Sequence, residues 1–198
     1  MDILQEFSVF FAKFVNNFTS MELNHSPKCA VIGYGSWATA IVKTLTHNGH
    51  HVDWLVLNDD IRESLLRRGR NPKYLPWCDI ERKLITPSAD INEVVRDADI
   101  VFMAMPSAFM TKFLAPLTES LREKIVVSAV KGIIPGDYLT IIEHVHRYYD
   151  VPMSNLCVVT GPSHAEEVGQ GRLSYLTVAS ECESTAEQVR NVLANCYF

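Results

Sequence analysis

Three small residues, Gly33, Gly35 and Ala38, stand at the spacing G-x-G-x-x-G/A, directly after the apolar run CAVI and before apolar residues at helical intervals. In a strand-to-helix turn the first glycine permits the tight turn and the second lets backbone approach a pyrophosphate. The alanine keeps helix and strand close. The helix start then offers free N–H groups and partial positive charge to phosphates, and the Ser36 hydroxyl can cap the helix or reach a phosphate. About 20 residues on, where a dinucleotide site places a group for the ribose, the sequence reads Leu57-Asn58-Asp59-Asp60. Asn58 can hydrogen-bond a ribose hydroxyl but cannot neutralise a 2′-phosphate. Asp59 and Asp60 would repel that phosphate if turned inward, and serve equally well as first-turn residues of a helix. This chemistry favours NAD over NADP, with NADP still admitted.

Lys131, just past the apolar run 125–130, is placed to meet an anionic substrate or polarise a carbonyl, though the position also suits a solvated surface lysine. It lies in one of several turns that each close an apolar run. These are Met105-Pro106-Ser107-Ala108-Phe109, Val130-Lys131-Gly132 and Gly161-Pro162-Ser163-His164-Ala165-Glu166-Glu167-Val168. Open parallel sheets bind ligands at the carboxyl ends of their strands, so such turns would line one crevice.

The elements that must position these residues follow from periodicity. Residues 28–32, 52–57, 100–105, 125–130 and 156–160 read as buried strands, with shorter ones at 84–86 and 175–179. Helical patterns occupy 36–47, 59–69, 91–96, 109–121, 137–148 and 184–195, while 70–83, with Pro72 and Pro76, reads as loop. Strands alternating with helices predict an α/β fold, a Rossmann-type doubly wound, mostly parallel sheet covered on both faces. Residues 28–198 form that one unit, without repeat, low-complexity tract or internal linker.

Composition narrows the field. A net charge of −5, with 47% hydrophobic and 21% charged residues, describes an ordinary globular chain and offers no basic footprint for nucleic acid. The 5 cysteines are scattered and never form C-x-x-C, which argues against a disulfide framework or a metal site and for reduced thiols in the cytoplasm. No apolar stretch reaches the roughly 18 residues of a membrane span. Residues 1–27 differ from the rest: Phe7, Phe10, Phe11, Phe14 and Phe18 form one stripe of an extra N-terminal helix, closed by a linker at 24–27. Its polar face has a single basic residue, Lys13, so packing on the domain or on a second copy in a homodimer is favoured over a membrane anchor. Met21 is an alternative start.

Five ordered motifs carry a resemblance. Gly33-Tyr34-Gly35-Ser36-Trp37-Ala38-Thr39-Ala40, Asn71-Pro72-Lys73-Tyr74-Leu75-Pro76, Pro106-Ser107, Val130-Lys131-Gly132 and Gly161 through Val168 together are similar to the N-terminal half of NAD(P)-dependent glycerol-3-phosphate dehydrogenase. The likeness covers residues 28–198. It implies an oxidoreductase that reversibly reduces dihydroxyacetone phosphate to glycerol 3-phosphate, supplying phospholipid synthesis. It also implies cofactor contacts at Ser36, Trp37, Tyr74, Pro106, Phe109 and the Ala165 backbone. Lys131 would be shared by cofactor and substrate, with Gly161 and Ser163 on the substrate. Leu57 stands where many members carry Arg or His. The family continues for about another domain, which brings the proton-transferring lysine, so residues 1–198 are expected to bind cofactor without efficient turnover. A nucleotide-binding regulatory module, or a related 3-hydroxyacyl or 6-phosphogluconate-type dehydrogenase domain, would share the glycine turn but not all five motifs.

Overall fold

The computed structural model describes residues 26–196. The helix expected over the N-terminal segment lies outside them. From Cys29 the chain alternates: β1 (Cys29–Ile32), α1 (Ser36–His47), β2 (Val52–Leu55), α2 (Asp59–Arg68), β3 (Ile85–Ser88), α3 (Ile91–Arg96) and β4 (Ile100–Met103). There follow α4 (Met110–Leu114), β5 (Ile125–Ser128), α5 (Ile141–Tyr149), β6 (Leu156–Thr160), α6 (Ala165–Gly169), β7 (Thr177–Ser180) and α7 (Glu183–Leu193).

The strands form one seven-stranded sheet in the order β3-β2-β1-β4-β5-β6-β7. All pairings are parallel except β6 with β7, which is antiparallel. Cys29 pairs with Val52 on one side and Ile100 on the other, so the strand order turns back at β1 and opens a crevice between β1 and β4 at their carboxyl ends. β1 and β4 are buried at every position, as strands covered on both faces must be. Trp54, Phe102 and Leu45 belong to the core on one face, and Leu55, Met103 and Leu114 to the core on the other. Burial of such side chains contributes roughly 1.5–3 kcal/mol each.

Two helical expectations are corrected. The pattern over 109–121 becomes a 3₁₀ turn, Ser107–Phe109, and the short α4, because Pro116 has no N–H with which to continue the ladder. The chain beyond is fastened to α3 instead, where Asn92 Oδ1 accepts from Thr118 N (2.7 Å) and Glu119 N (3.0 Å). The helix expected over 137–148 begins at Ile141, where Thr140 and Glu143 form a reciprocal capping box. Gly136 (φ 101°) and Tyr138 (φ 56°), just before it, are left-handed and cannot belong to a helix.

All five cysteines are free thiols, and Cys29, Cys78 and Cys157 are buried. Burial pushes the Cys29 thiol up to about 12 and Cys157 to about 11. Cys182, at the start of α7, is instead held at about 7, first by its hydrogen bond with Ser184. No helix among the described residues is long and apolar enough to cross a membrane.

Candidate active site

The turn after β1 is built for close approach. Gly33 adopts φ +118°, and a Cβ there would stand 2.4 Å from the Ala104 carbonyl oxygen at the end of β4. Only glycine allows both the left-handed backbone and this seam between the two strands that flank the crevice. The Gly33 carbonyl is fixed from below by Trp54, whose buried Nε1 donates to it at 2.6 Å. Gly35 behaves differently. Its φ is −75°, which any residue can adopt, and a Cβ built on it meets nothing within 4 Å. The space above Gly35 is therefore open, directly at the N-cap of α1.

No side chain caps α1, and its first turn holds no acidic residue, so Ser36 does not play the capping role open to it. By contrast Asn58 caps α2 and Thr140 caps α5. The α1 start thus presents unpartnered N–H groups and partial positive charge to the open space, an arrangement that suits phosphate. Ala38 is fully buried against the sheet, as the third position of the glycine motif requires. Trp37 packs against the cluster of Ala40, Leu75, Cys78 and Val168, joining α1 to the loop after α2 and to α6.

Asn71 opens the second of the five motifs, yet its sequence context assigns it no role. It is fully buried, and its Nδ2 donates to the Tyr34 carbonyl (3.0 Å) and to Thr39 Oγ1 (3.0 Å). Its Oδ1 accepts from Lys73 N (3.2 Å) and Tyr74 N (3.1 Å). Thr39 Oγ1 in turn donates to the Gly35 carbonyl at 2.9 Å. One amide thereby locks the glycine turn, α1 and the Tyr74 loop to each other, leaving the Tyr74 side chain exposed at their edge. The Asn71-Pro72 pair signals a turn in sequence, but nothing local reveals that its side chain is the buried member.

The other strand ends contribute as follows. Pro106 opens the 3₁₀ turn that carries the half-exposed Phe109, and the Phe113 ring beyond it lies 6.1 Å from that of Tyr34. Gly132 (φ +93°) sits with its would-be Cβ 3.5 Å from Ser107 Oγ, so the Lys131 turn and the Pro106-Ser107 turn are neighbours. Lys131 itself is exposed. After β6, Gly161 takes φ +153° and a Cβ there would stand 2.4 Å from the Tyr175 carbonyl oxygen. The Ser163 hydroxyl donates to that same carbonyl at 3.0 Å. Ala165 opens α6 and packs against the same small buried cluster as Trp37. At the far side, Asn58 Oδ1 is engaged by Ile61 N (3.0 Å), so only its Nδ2 remains for another partner, and Asp59 and Asp60 are first-turn residues of α2.

The loop from Lys131 to α5 is tied down by Asp137, whose Oδ2 lies 2.6 Å from Nδ1 of the buried His144. The His144 bond, with help from Leu139 N–H, holds the Asp137 carboxyl below its usual range. A lowered folded value means the stabilisation is complete above the unfolded pKa, about 3.9, and is lost as pH falls through the folded value. Acid is therefore expected to loosen this loop only below about pH 4. The melting-temperature gap between the parent and Asp137→Asn, measured at pH 6, should shrink toward pH 3. A gap that widens in acid would reverse the assigned sign.

The arrangement thus comprises a phosphate-fitting turn, an adjoining lysine turn and a serine turn at the carboxyl end of a parallel sheet. Among the described residues no group of three metal-ligating side chains comes together.

The family model described as NAD-dependent glycerol-3-phosphate dehydrogenase N-terminus matches residues 28–186. The chain is 32% identical over 171 residues to a glycerol-3-phosphate dehydrogenase [NAD(P)+] of Halalkalibacterium halodurans, covering 85% of this chain and 49% of that protein. It is 34% identical over 164 residues to one from Pseudomonas fluorescens, covering 83% and 47%. It spans about half the length of these curated relatives. Among solved structures, the glycerol-3-phosphate dehydrogenase of Coxiella burnetii superposes with a TM-score of 0.76 at 22% identity, covering 87% of this chain and 52% of that one. The Plasmodium falciparum enzyme gives 0.80 at 19%, covering 87% and 51%, a likeness of fold. With the family model spanning most of the chain, this chain belongs to the NAD-dependent glycerol-3-phosphate dehydrogenase family, as its N-terminal NAD-binding domain.

Proposed function

We propose that this chain holds NAD(H), in preference to NADP(H), for the reversible reduction of dihydroxyacetone phosphate to glycerol 3-phosphate in the cytoplasm, feeding phospholipid synthesis. The observation that carries the reading is the open space above Gly35, at the uncapped start of α1 and beside the seam between β1 and β4. A pyrophosphate fits there. Gly33, Gly35, Ser36 and Trp37 would form its cradle, Ala38 would keep the helix close, and Asn58 would face the adenosine ribose. Tyr74, Pro106, Phe109 and Ala165 would border the rest of the cofactor.

When bound, a nicotinamide supplies hydride to a carbonyl carbon. The chain's own residues bind and orient. Lys131 brings positive charge to a phosphorylated substrate and to the oxygen that gains negative charge, while Gly161 and Ser163 present the neighbouring turn. The Ser163 hydroxyl already donates to Tyr175, so it meets substrate as an acceptor or by exchanging that bond. Protonation of the developing alkoxide needs a further acid, a contribution typically worth a factor of ~100 to 10,000.

Titration with NADH followed by dihydroxyacetone phosphate tests the reading. Both should bind, the second only weakly without the first. Lys131→Ala should leave the fold intact, because the residue is exposed. It should cost roughly tenfold or more in dihydroxyacetone phosphate affinity, as loss of a charge-assisted contact does. Equal affinity in parent and variant would remove Lys131 from the site.

A further inference from the structure

At the carboxyl end of β2 the fold supplies a cation that neither Leu57 nor Asn58 provides. Arg62, on the first turn and a half of α2, turns back toward the strand, and its Nη1 donates to the Val56 carbonyl at 2.9 Å. Its side chain is only 24% exposed, whereas that of its partner Asp59 is 86% exposed. Arg62 Nη2 donates to Asp59 Oδ1. The guanidinium is thus fixed against the end of β2 on one side and neutralised by a solvent-exposed carboxylate on the other. Asn58, between them in sequence, keeps its Nδ2 free while its Oδ1 caps the helix. The other arginines of α2 lie toward its far end, with Arg67 paired to Glu63 at 2.9 Å. Leu57 is exposed and uncharged.

In a dinucleotide fold this is where the adenosine ribose lies, and an arginine nearby accommodates a 2′-phosphate. A planar guanidinium already anchored through one nitrogen has donors left for phosphate oxygens, and little side-chain freedom to lose in using them. We infer that the Asp59–Arg62 pair is this chain's selector between NAD and NADP. Arg62 is the group able to take a 2′-phosphate, and Asp59 opposes it by cancelling the charge and repelling the phosphate. The inference rests on the dinucleotide reading above and specifies the ribose end of that site. With a free 2′-hydroxyl there is no charge to meet, and the pair stays closed.

The experiment measures the dissociation constants of NADH and NADPH by fluorescence, confirmed by calorimetry, for the parent, Arg62→Gln and Asp59→Asn. The ratio of the two constants is read, because partial loss of folded protein affects both cofactors alike. Arg62→Gln should weaken NADPH by about tenfold or more and leave NADH within about twofold, and Asp59→Asn should strengthen NADPH by a few fold to about tenfold. The NADPH advantage gained in Asp59→Asn should fall with added salt. A ratio in Arg62→Gln that matches the parent overturns the role of Arg62. A ratio unmoved in Asp59→Asn overturns the opposing role of Asp59. If the parent binds neither cofactor, the dinucleotide reading itself fails and the selector with it.

Discussion

Gly35→Val is expected to fold as the parent does and to lose NADH by on the order of 100-fold or more. The two halves of this expectation come from different facts. The backbone at Gly35 has φ −75°, and its Cβ would meet nothing within 4 Å, so the protein itself raises no objection to a side chain. A branched side chain would nevertheless fill the space in which phosphate must approach the N–H groups of α1. Each charge-assisted bond forfeited there costs roughly 1.5–3 kcal/mol, so losing about two gives the stated factor. Gly33→Ala is the contrasting control: at φ +118° and 2.4 Å from the Ala104 oxygen, its damage is to the fold. Melting curves and NADH titration separate the two. Retained NADH affinity in a folded Gly35→Val protein would sink the assignment of the turn.

Asn71→Leu should be the most damaging single change outside the glycines. Leucine keeps the branch at Cγ at a larger volume, but the Tyr34 carbonyl and the Lys73 and Tyr74 amides lose their shared partner within a buried site. An unsatisfied buried group costs about 1–3 kcal/mol, so a loss of roughly 3 kcal/mol or more in stability is expected, with NADH affinity falling as the turn loosens. Asn71→Asp discriminates a positioning role from bulk stabilisation. The carboxylate keeps the bonds from Lys73 and Tyr74 but faces the Tyr34 carbonyl oxygen without a proton to donate. Its protonation at lower pH restores one donor, so NADH affinity in this variant should recover as pH falls while the parent's does not follow. A pH-independent deficit would leave Asn71 as core packing alone.

Much of the fold is legible in the amino-acid sequence. The strand-turn-helix at 29–47 was legible because buried parallel strands are continuously apolar and the glycine spacing has one mechanical use. Residues 91–96 and 156–160 were equally plain, bounded by Asp90 and by Gly161. The antiparallel direction of β7 was not legible, since a short run at 177–180 carries no sign of its orientation. Nor were the long-range polar partners. Trp54 reads as one more apolar strand residue until its N–H is followed to Gly33, and Arg62 reads as a solvated helix residue until its guanidinium is followed to the Val56 carbonyl. Periodicity reports which face a residue occupies and is silent on which distant atom it meets.

The crevice between β1 and β4 is a late product of synthesis. β1, α1 and β2 follow one another directly in the chain, whereas β4 must return across a long excursion, marked by the bond from Lys28 N to the Asp99 carboxylate over a separation of 71 residues. The entropy of closing such a loop rises only logarithmically with its length, yet contacts of this range govern how fast a chain finds its form. The Gly33–Ala104 seam exists only after that return. A nascent polypeptide therefore carries its glycine turn unseated throughout the interval, and capture of the nucleotide by a chain still on the ribosome would signal that the centre of the sheet has closed.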